Sequence, residues 1–598
     1  MLAPVDVALI VAFLAICAAI GLHYRALASR DLDEYFLAGR SLTGWRAGLS
    51  MAATQFAADT PLLVTGMIAT AGVFSLWRLW IYALAFLLMG FLLAGPWRRA
   101  GVLTDAELAE LRYGGRAALV LRGVKAFYFG VVFNCTVLAM VLLAAARIAE
   151  PFLDWEGLVP AGTFEVVGLE TSAAMSLLVV LVITAFYSTT GGLRAVVTTD
   201  MLQLAIALAA TLVYAVVVVA AAGGLDGMPD RLEELYGRDW TLQTLAFTPD
   251  LARDASAVVV GTIGLQWLAQ MNADGTGYLA QRTMACRDDR EARRAAIVFV
   301  VTQILLRSLL WLPIGIALLI LYPIGADAVD VAGREATFVQ GIADHMPAGL
   351  RGLMLAGLLA ALASTVDTHL NWGSSYFTND LYRAIICRHW LGREPGGREL
   401  VMVARIANLS IIAIAIAVLT RLGSIRDAWH ASLLLGAGMG APLLLRWFWW
   451  RVTAAAELTA IGVATVAAPV LLATVDGEGA RMLIVSGLTA TTTVVLSLIG
   501  SRTPSEAQLA FYRKVRPPGF WAPCARAAGD HPRAGVDTLV RGATAVVLGA
   551  LAVFSLLVAL GSALLGSPAP ALVPGRMAWI AGLLVIAAIA LLLLRRRR

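Results

Sequence analysis

Apolar runs of about 20 residues or more recur along the whole chain, separated by polar stretches. Their length predicts about 15 membrane-crossing helices, at 4–24, 42–70, 76–97, 122–147, 171–190, 193–221, 255–281, 293–322, 349–383, 400–420, 427–446, 452–474, 481–500, 540–565 and 573–594. Most runs are uninterrupted, but two are not. The second contains Gln55, Asp59 and Pro61; the seventh contains Gln266, Gln270, Asn272, Asp274 and Gly275. Polar and helix-breaking residues at mid-depth are tolerated where they line a cavity or are buried in protein. The interruptions open two blocks of five spans, 42–221 and 255–446. Because five is odd, the second block must run inverted. Paired broken helices in corresponding positions point to an inverted-repeat transporter with its binding site at the breaks.

Composition agrees. The 598 residues are 60% hydrophobic and 14% charged, with a mean hydropathy of +0.79; a soluble domain carries about 25% charged residues. The net charge of +6 is read as topology rather than nucleic-acid binding. With the N-terminus outside, roughly three quarters of the Lys and Arg residues fall in inside loops, as the positive-inside rule requires. That pattern puts the Arg595–Arg598 tail in the cytoplasm. No basic residue precedes the first apolar run, so the first helix is expected to be an anchor rather than a cleaved signal. The five cysteines show no metal-ligand spacing, and neither disulfides nor a metal cluster are expected. No nucleophile–base arrangement or phosphate-binding loop suggests an enzyme.

Ionisable groups inside spans are costly and mark function. Here they are Asp59, Asp200, Asp274, Arg307 and Asp367. In the ninth span, Ser364 and Thr365 lie one turn after Ala361. Two hydroxyls and a carbonyl form a small arc of hard oxygen donors suited to a hard cation. The broken second span can add carbonyls near Ala53 and Phe56. The plainer reading is that both hydroxyls bond back to their own helix. Asp200 either serves a cation, directly or through a neighbour, or is a structural carboxylate held by hydroxyls. Gln55, Asp59, Gln270, Asn272 and Asp274 gather near the breaks as candidate solute ligands, although Asp274 can equally cap the unwound backbone. Arg307 pairs with Asp274 or Asp59, or binds a carboxylate solute. A lone His369 reads first as a hydrogen-bonded core residue. The run Trp447–Trp450 reads as an interfacial anchor, and 502–537 as a basic surface loop at the headgroups.

Four motifs carry a resemblance. They are Tyr35-Phe36-Leu37-Ala38-Gly39-Arg40-Ser41-Leu42; Gly191-Gly192-Leu193-x-Ala195-Val196 with Thr199-Asp200-x-x-Gln203; Gln281-Arg282-x-x-Ala285-x-x-Asp288; and Phe377-Thr378-x-Asp380-Leu381-Tyr382-Arg383. In this order and spacing the chain resembles the sodium:solute symporter family over about residues 5–500. The resemblance implies an all-α LeuT-type core of five plus five inverted helices, with one extra helix before it and about four after. It divides the chain into an N-terminal helix and loop (1–41), two repeats (42–222 and 255–450) joined by an outside loop (223–254), two helices (451–501), a cytoplasmic loop (502–539) and two last helices (540–598). It implies a sodium site from the carbonyls of Ala53, Phe56 and Ala361 and the hydroxyls of Ser364 and Thr365, with Asp200 as the family's carboxylate. The polar set of the sugar-binding branch is not found. The sixth core helix instead resembles a bacterial branch with a glycine-rich segment there. The function so implied is sodium-coupled import of a small polar organic solute across a bacterial inner membrane. A proton-coupled carrier using Asp200, Asp367 and His369, or a transporter-like sensor, are the rival readings.

Overall fold

The apolar runs become helices because a chain in hydrocarbon must satisfy its own backbone polar groups. The computed structural model describes residues 2–149, 152, 171–249, 263–264, 266–267, 273–324, 331–421, 434, 436–500 and 502–596. Among the described residues, 11 helices are long and apolar enough to cross a membrane. The helices used below are α1 (Pro4–Ala28), α2 (Leu32–Leu37), α3 (Gly44–Gln55), α4 (Thr60–Ala71), α5 (Val73–Ala100), α6 (Glu107–Tyr113), α7 (Gly115–Ala145), α8 (Thr171–Ala221), α9 (Tyr278–Met284) and α10 (Asp289–Leu321). They continue as α11 (Leu350–Trp390), α12 (Gly397–Leu419), α13 (Gly440–Phe448), α14 (Ala454–Thr474), α15 (Glu478–Ile499), α16 (Glu506–Val515), α17 (Ala522–Ala527), α18 (Ala534–Leu565) and α19 (Arg576–Arg596).

Several of the expected spans take a different form. The run 42–70 is two helices, α3 and α4, and neither crosses alone. The runs 171–190 and 193–221 form α8, bent at Gly192, where φ is +59°. A Cβ at Gly192 would lie 2.9 Å from the Tyr35 carbonyl oxygen, so the turn needs glycine both for its φ and for its close neighbour. Most of 255–281 and part of 427–446 lie outside the described residues.

Helix α8 packs on α11 and α1, and α3 packs on α8, α10 and α11. This brings the broken second span against the ninth. Small residues permit the α3–α10 approach: a Cβ on Gly48 would stand 2.5 Å from the Ala295 carbonyl oxygen. Glu291 fixes the same contact by accepting the Gly44 N–H at 2.7 Å, satisfying one of the free donors that open α3.

The motifs of the first and second blocks meet at one end of the bundle. Leu42 exchanges backbone hydrogen bonds with Ala285 and Arg287, both 3.0 Å. Arg194 pairs with Glu34 at 2.9 Å. Asp380 accepts from Arg122 at 2.6 Å and from Thr104 at 2.7 Å. The family-like residues thus tie the loop ends of both blocks together.

The segment 502–537, expected as a surface loop, is partly helical. It forms α16 and α17 and folds onto the bundle, with Phe511, Tyr512, Val515 and Trp521 buried. Phe520 donates its N–H to the Phe448 carbonyl at 2.6 Å, and Trp521 Nε1 donates to the Trp447 carbonyl at 2.8 Å. Arg112 lies 4.7 Å from the Trp521 ring centroid. In the expected interfacial anchor Trp447–Trp450, the first ring lies inside the protein, while Phe448 and Trp449 are half-buried. Trp447 is fully buried and packs edge-on to Trp97 at 4.8 Å, because the folded segment covers it. The basic residues of 502–537 remain exposed, while Phe511, Tyr512 and Trp521 point inward.

Candidate functional site

Helix α3 stops at Gln55, Phe56 adopts ψ +48°, and α4 begins at Thr60 with Pro61 in its first turn. Proline supplies no N–H, and at a helix start none is needed. The break predicted from Gln55, Asp59 and Pro61 is therefore present. In the seventh span the chain turns at Gly275 and Gly277, with φ +90° and +93°, before α9 begins.

The end of α3 abuts the middle of α11. Thr365 Oγ1 lies 3.2 Å from the Thr54 carbonyl oxygen and 3.0 Å from that of Ala361. Phe56 N–H bonds to the carbonyls of Ala52 and Ala53 at 3.0 and 3.1 Å. Ser364 Oγ donates to Asp200 Oδ1 at 2.6 Å, and Ser50 Oγ donates to Asp200 Oδ2 at 2.5 Å. Asp200 is fully buried. Thr365 bonds back to its own helix, as the plainer reading has it, while Ser364 turns its proton away, toward Asp200. A hydroxyl that gives its proton to a carboxylate keeps its oxygen lone pairs for a cation. Asp200 can therefore serve an ion through Ser364. Ala53, Phe56, Ala361, Ser364 and Thr365 thus belong to one neighbourhood, at the junction of α3 and α11.

The sequence reading missed Arg282. Although it directly follows the expected span 255–281, it is fully buried, with its guanidinium 3.7 Å from Asp200 Oδ2. Arg282 also donates to Ser50 Oγ at 3.2 Å, Thr368 Oγ1 at 2.7 Å and Gln281 Oε1 at 3.0 Å. Thr368 in turn meets Thr54 Oγ1 at 2.8 Å. The available signal was the Gln281-Arg282 pair within a motif, at the end of a run with polar breaks.

Beside this junction lies a cavity of about 240 Å³. Gln55 and Asp59 line it, as expected, together with Tyr82, Tyr278, Gln303 and Arg307. Gln55 bonds through its side chain to Tyr278, and Arg307 Nη1 donates to the Gln55 carbonyl at 2.5 Å. Arg307 lies 4.5 Å from the Trp311 ring centroid and within electrostatic reach of Asp59. Of its two expected partners, Asp59 is therefore the nearer in effect. His369 also lines the cavity, with Nδ1 2.6 Å from Asn134 Oδ1, so it is a hydrogen-bonded core residue. Gln270 and Asn272 lie outside the described residues.

Asp274 corrects the expectation that it joins the solute ligands. It is not among the residues lining the cavity. Its Oδ1 accepts the Thr276 N–H at 2.9 Å, which caps the turn. Its Oδ2 accepts from Arg446 at 2.7 Å and from Trp447 Nε1 at 2.9 Å. Arg446 also reaches Glu457 at 3.4 Å, and Lys125 holds Glu457 at 2.8 Å. Four buried charges thus pair with one another, and Trp447 links them to the folded segment 502–537. Burial without such pairing would cost several kcal/mol for each ion.

Comparisons with known proteins place the family and the fold. The model of the sodium:solute symporter family matches residues 35–464. The chain belongs to that family. Its members are transporters rather than enzymes, and sodium is the coupling ion. The chain is 25% identical over 441 residues to the sodium/mannose cotransporter SLC5A10 of Bos taurus, covering 70% of this chain and 69% of that one. It is 24% identical over 471 residues to a sodium/glucose cotransporter of Vibrio parahaemolyticus, covering 75% and 81%. The fold matches that of a sodium-coupled sialic acid symporter in a substrate-bound outward-open state. There the TM-score is 0.66 and identity 18%, over 84% of this chain and 99% of the other. The symporter is thus a multi-pass membrane protein with a LeuT-type helical fold.

Proposed function

We propose that this symporter imports a small polar organic solute, with sodium bound at the junction of α3 and α11. The observation that carries the reading is the meeting of the α3 end with Ser364 and Thr365, backed by a buried Asp200. Sodium takes the carbonyls of Ala53, Phe56 and Ala361 and the hydroxyls of Ser364 and Thr365. Asp200 orients Ser364 and balances the added charge from one hydroxyl away. The solute occupies the neighbouring cavity, with Gln55 and Asp59 among its ligands. Gln55 connects the two events, because it follows Thr54 in the turn that Thr365 touches. An ion that fixes the end of α3 therefore fixes one wall of the solute cavity.

About 15 spans, arranged as five plus five with one before and four after, give the two blocks opposite orientations. Their boundaries are those of the repeats at 42–222 and 255–450. The N-terminus lies outside and the basic tail in the cytoplasm of a bacterial cell, with the inner membrane as the site of action. In that orientation the Asp274–Arg446–Glu457–Lys125 network and the segment 502–537 close the cytoplasmic side. Import by alternating access requires this closure to loosen after ion and solute have bound.

The test is binding of radioactive sodium to the purified protein. Saturable binding that potassium does not displace, and that Ser364→Ala weakens by about tenfold or more, supports the site. Undiminished binding in the Ser364→Ala/Thr365→Ala double variant rules it out.

A further inference from the structure

The cavity beside the ion site carries two opposite charges that the protein leaves incompletely paired. Arg307 is 6% exposed. One of its nitrogens is spent on the Gln55 carbonyl and its face lies on Trp311, yet among the described residues Nε has no hydrogen-bond partner. On the same cavity, Asp59 Oδ1 and Gln303 Oε1 are buried and likewise unpartnered. Trp372 Nε1, on the same lining, is buried and open as well, whereas Asp200, Arg282 and Ser364 at the neighbouring junction all have partners. Two buried donors and two buried acceptors left open on one cavity wall are costly, unless a ligand completes them.

The signs of these groups narrow the ligand. Asp59 and Arg307 are the acidic and basic side chains among the cavity's lining residues, so its walls carry no net charge with His369 neutral. A singly charged solute would leave one wall charge uncompensated in a low-dielectric space. A solute bearing both charges would compensate both. Five of the other lining residues are aromatic: Tyr82, Phe86, Phe133, Tyr278 and Trp372. Ring faces of this kind suit an ammonium group with alkyl substituents.

We propose that the transported solute is a small zwitterion. Its carboxylate is directed to Arg307, and its cationic nitrogen to Asp59 and the aromatic wall. The inference rests on the reading of this cavity as the solute site and adds the solute's chemical class to it.

The experiment is a thermal-unfolding screen of the purified protein in saturating sodium. Four panels of similar size are used: zwitterions (glycine betaine, proline, γ-aminobutyrate and ectoine among them), monocarboxylates, monoamines and neutral sugars. The expected result is stabilisation by one or more zwitterions and by no sugar. Arg307→Gln should weaken the best zwitterion by about 100-fold, with Arg307→Lys intermediate, as for loss of a charged hydrogen bond in a buried site. Asp59→Asn should shift preference toward the matching monocarboxylate by at least about tenfold, a gain that an unfolded variant cannot show. Stabilisation by a sugar or a monoanion in place of zwitterions overturns the proposal, and so does a screen in which no zwitterion stabilises. Sodium alone, compared with potassium before any solute is added, reads the ion site separately. If sodium stabilises and sugars are the ligands, the zwitterion class fails and the symport reading stands. If sodium does nothing, the symport reading itself fails.

Discussion

Replacing Asp200 by asparagine tests how the ion site is held together. The carboxylate accepts two hydroxyl protons, from Ser50 at 2.5 Å and Ser364 at 2.6 Å, and faces Arg282 at 3.7 Å. An amide keeps one acceptor oxygen and presents an N–H₂ to the other hydroxyl. One hydroxyl must then turn, and if it is Ser364, its proton turns toward the ion's place. The larger loss is electrostatic, because Arg282 is fully buried and Asp200 is the acidic side chain paired with it. Breaking one side of a buried ion pair costs about 3–5 kcal/mol. Asp200→Asn should therefore lower the thermal midpoint in detergent, and weaken sodium's stabilising effect by about 10–100-fold in concentration. Asp200→Asn/Arg282→Met should be less destabilised than the sum of its single variants by about 1 kcal/mol or more. The assay is unfolding followed over a sodium titration at constant ionic strength. An Asp200→Asn protein as stable as wild type, with an unchanged sodium midpoint, would refute the coupling of Asp200 to Arg282 and Ser364.

Other expectations follow from the packing. Arg446→Met leaves Asp274 and Glu457 short of a partner and should destabilise by about 3–5 kcal/mol, whereas Asp274→Asn/Arg446→Met should recover part of that in the same melt. Trp521→Ala removes a fully buried ring and its bond to Trp447; it should cost about 3–5 kcal/mol and speed proteolysis within 502–537, read by limited digestion. Gly48→Val would place a Cβ 2.5 Å from a backbone oxygen on α10, and should abolish the monodisperse folded peak in gel filtration.

The sequence was most legible where hydrocarbon imposes rules. Apolar length predicted spans, and polar residues inside the second and seventh runs marked real breaks at Phe56–Asp59 and Asp274–Gly277. Ser364, Thr365 and Asp200 were legible because ionisable and paired hydroxyl groups stand out in an apolar background. Their meeting depended on contacts between distant segments, which periodicity does not encode. The burial of Arg282 and Arg446 was not legible for one reason: a charge near a span's end reads as loop, and only tertiary packing tells whether it turns inward. The same limit hid the inward-facing aromatic residues of 502–537. Phe511, Tyr512 and Trp521 lie among enough basic residues to look solvated until the surface they cover is known. Asp274 illustrates the remaining difficulty, since a carboxylate at a break serves a ligand or a cap equally well until its neighbours are seen.

The central claim is that sodium binds between the end of α3 and Ser364–Thr365. The most direct measurement compares thermal unfolding of the wild type and the Ser364→Ala/Thr365→Ala variant in sodium and in potassium at equal ionic strength. A ligand that binds only the folded protein stabilises it by about 2.7 kcal/mol at 100 times its dissociation constant. The account predicts that sodium raises the midpoint of the wild type above its value in potassium, and that the variant melts alike in both salts. Equal midpoints for the wild type in sodium and potassium, or a sodium effect that survives in the variant, would contradict it.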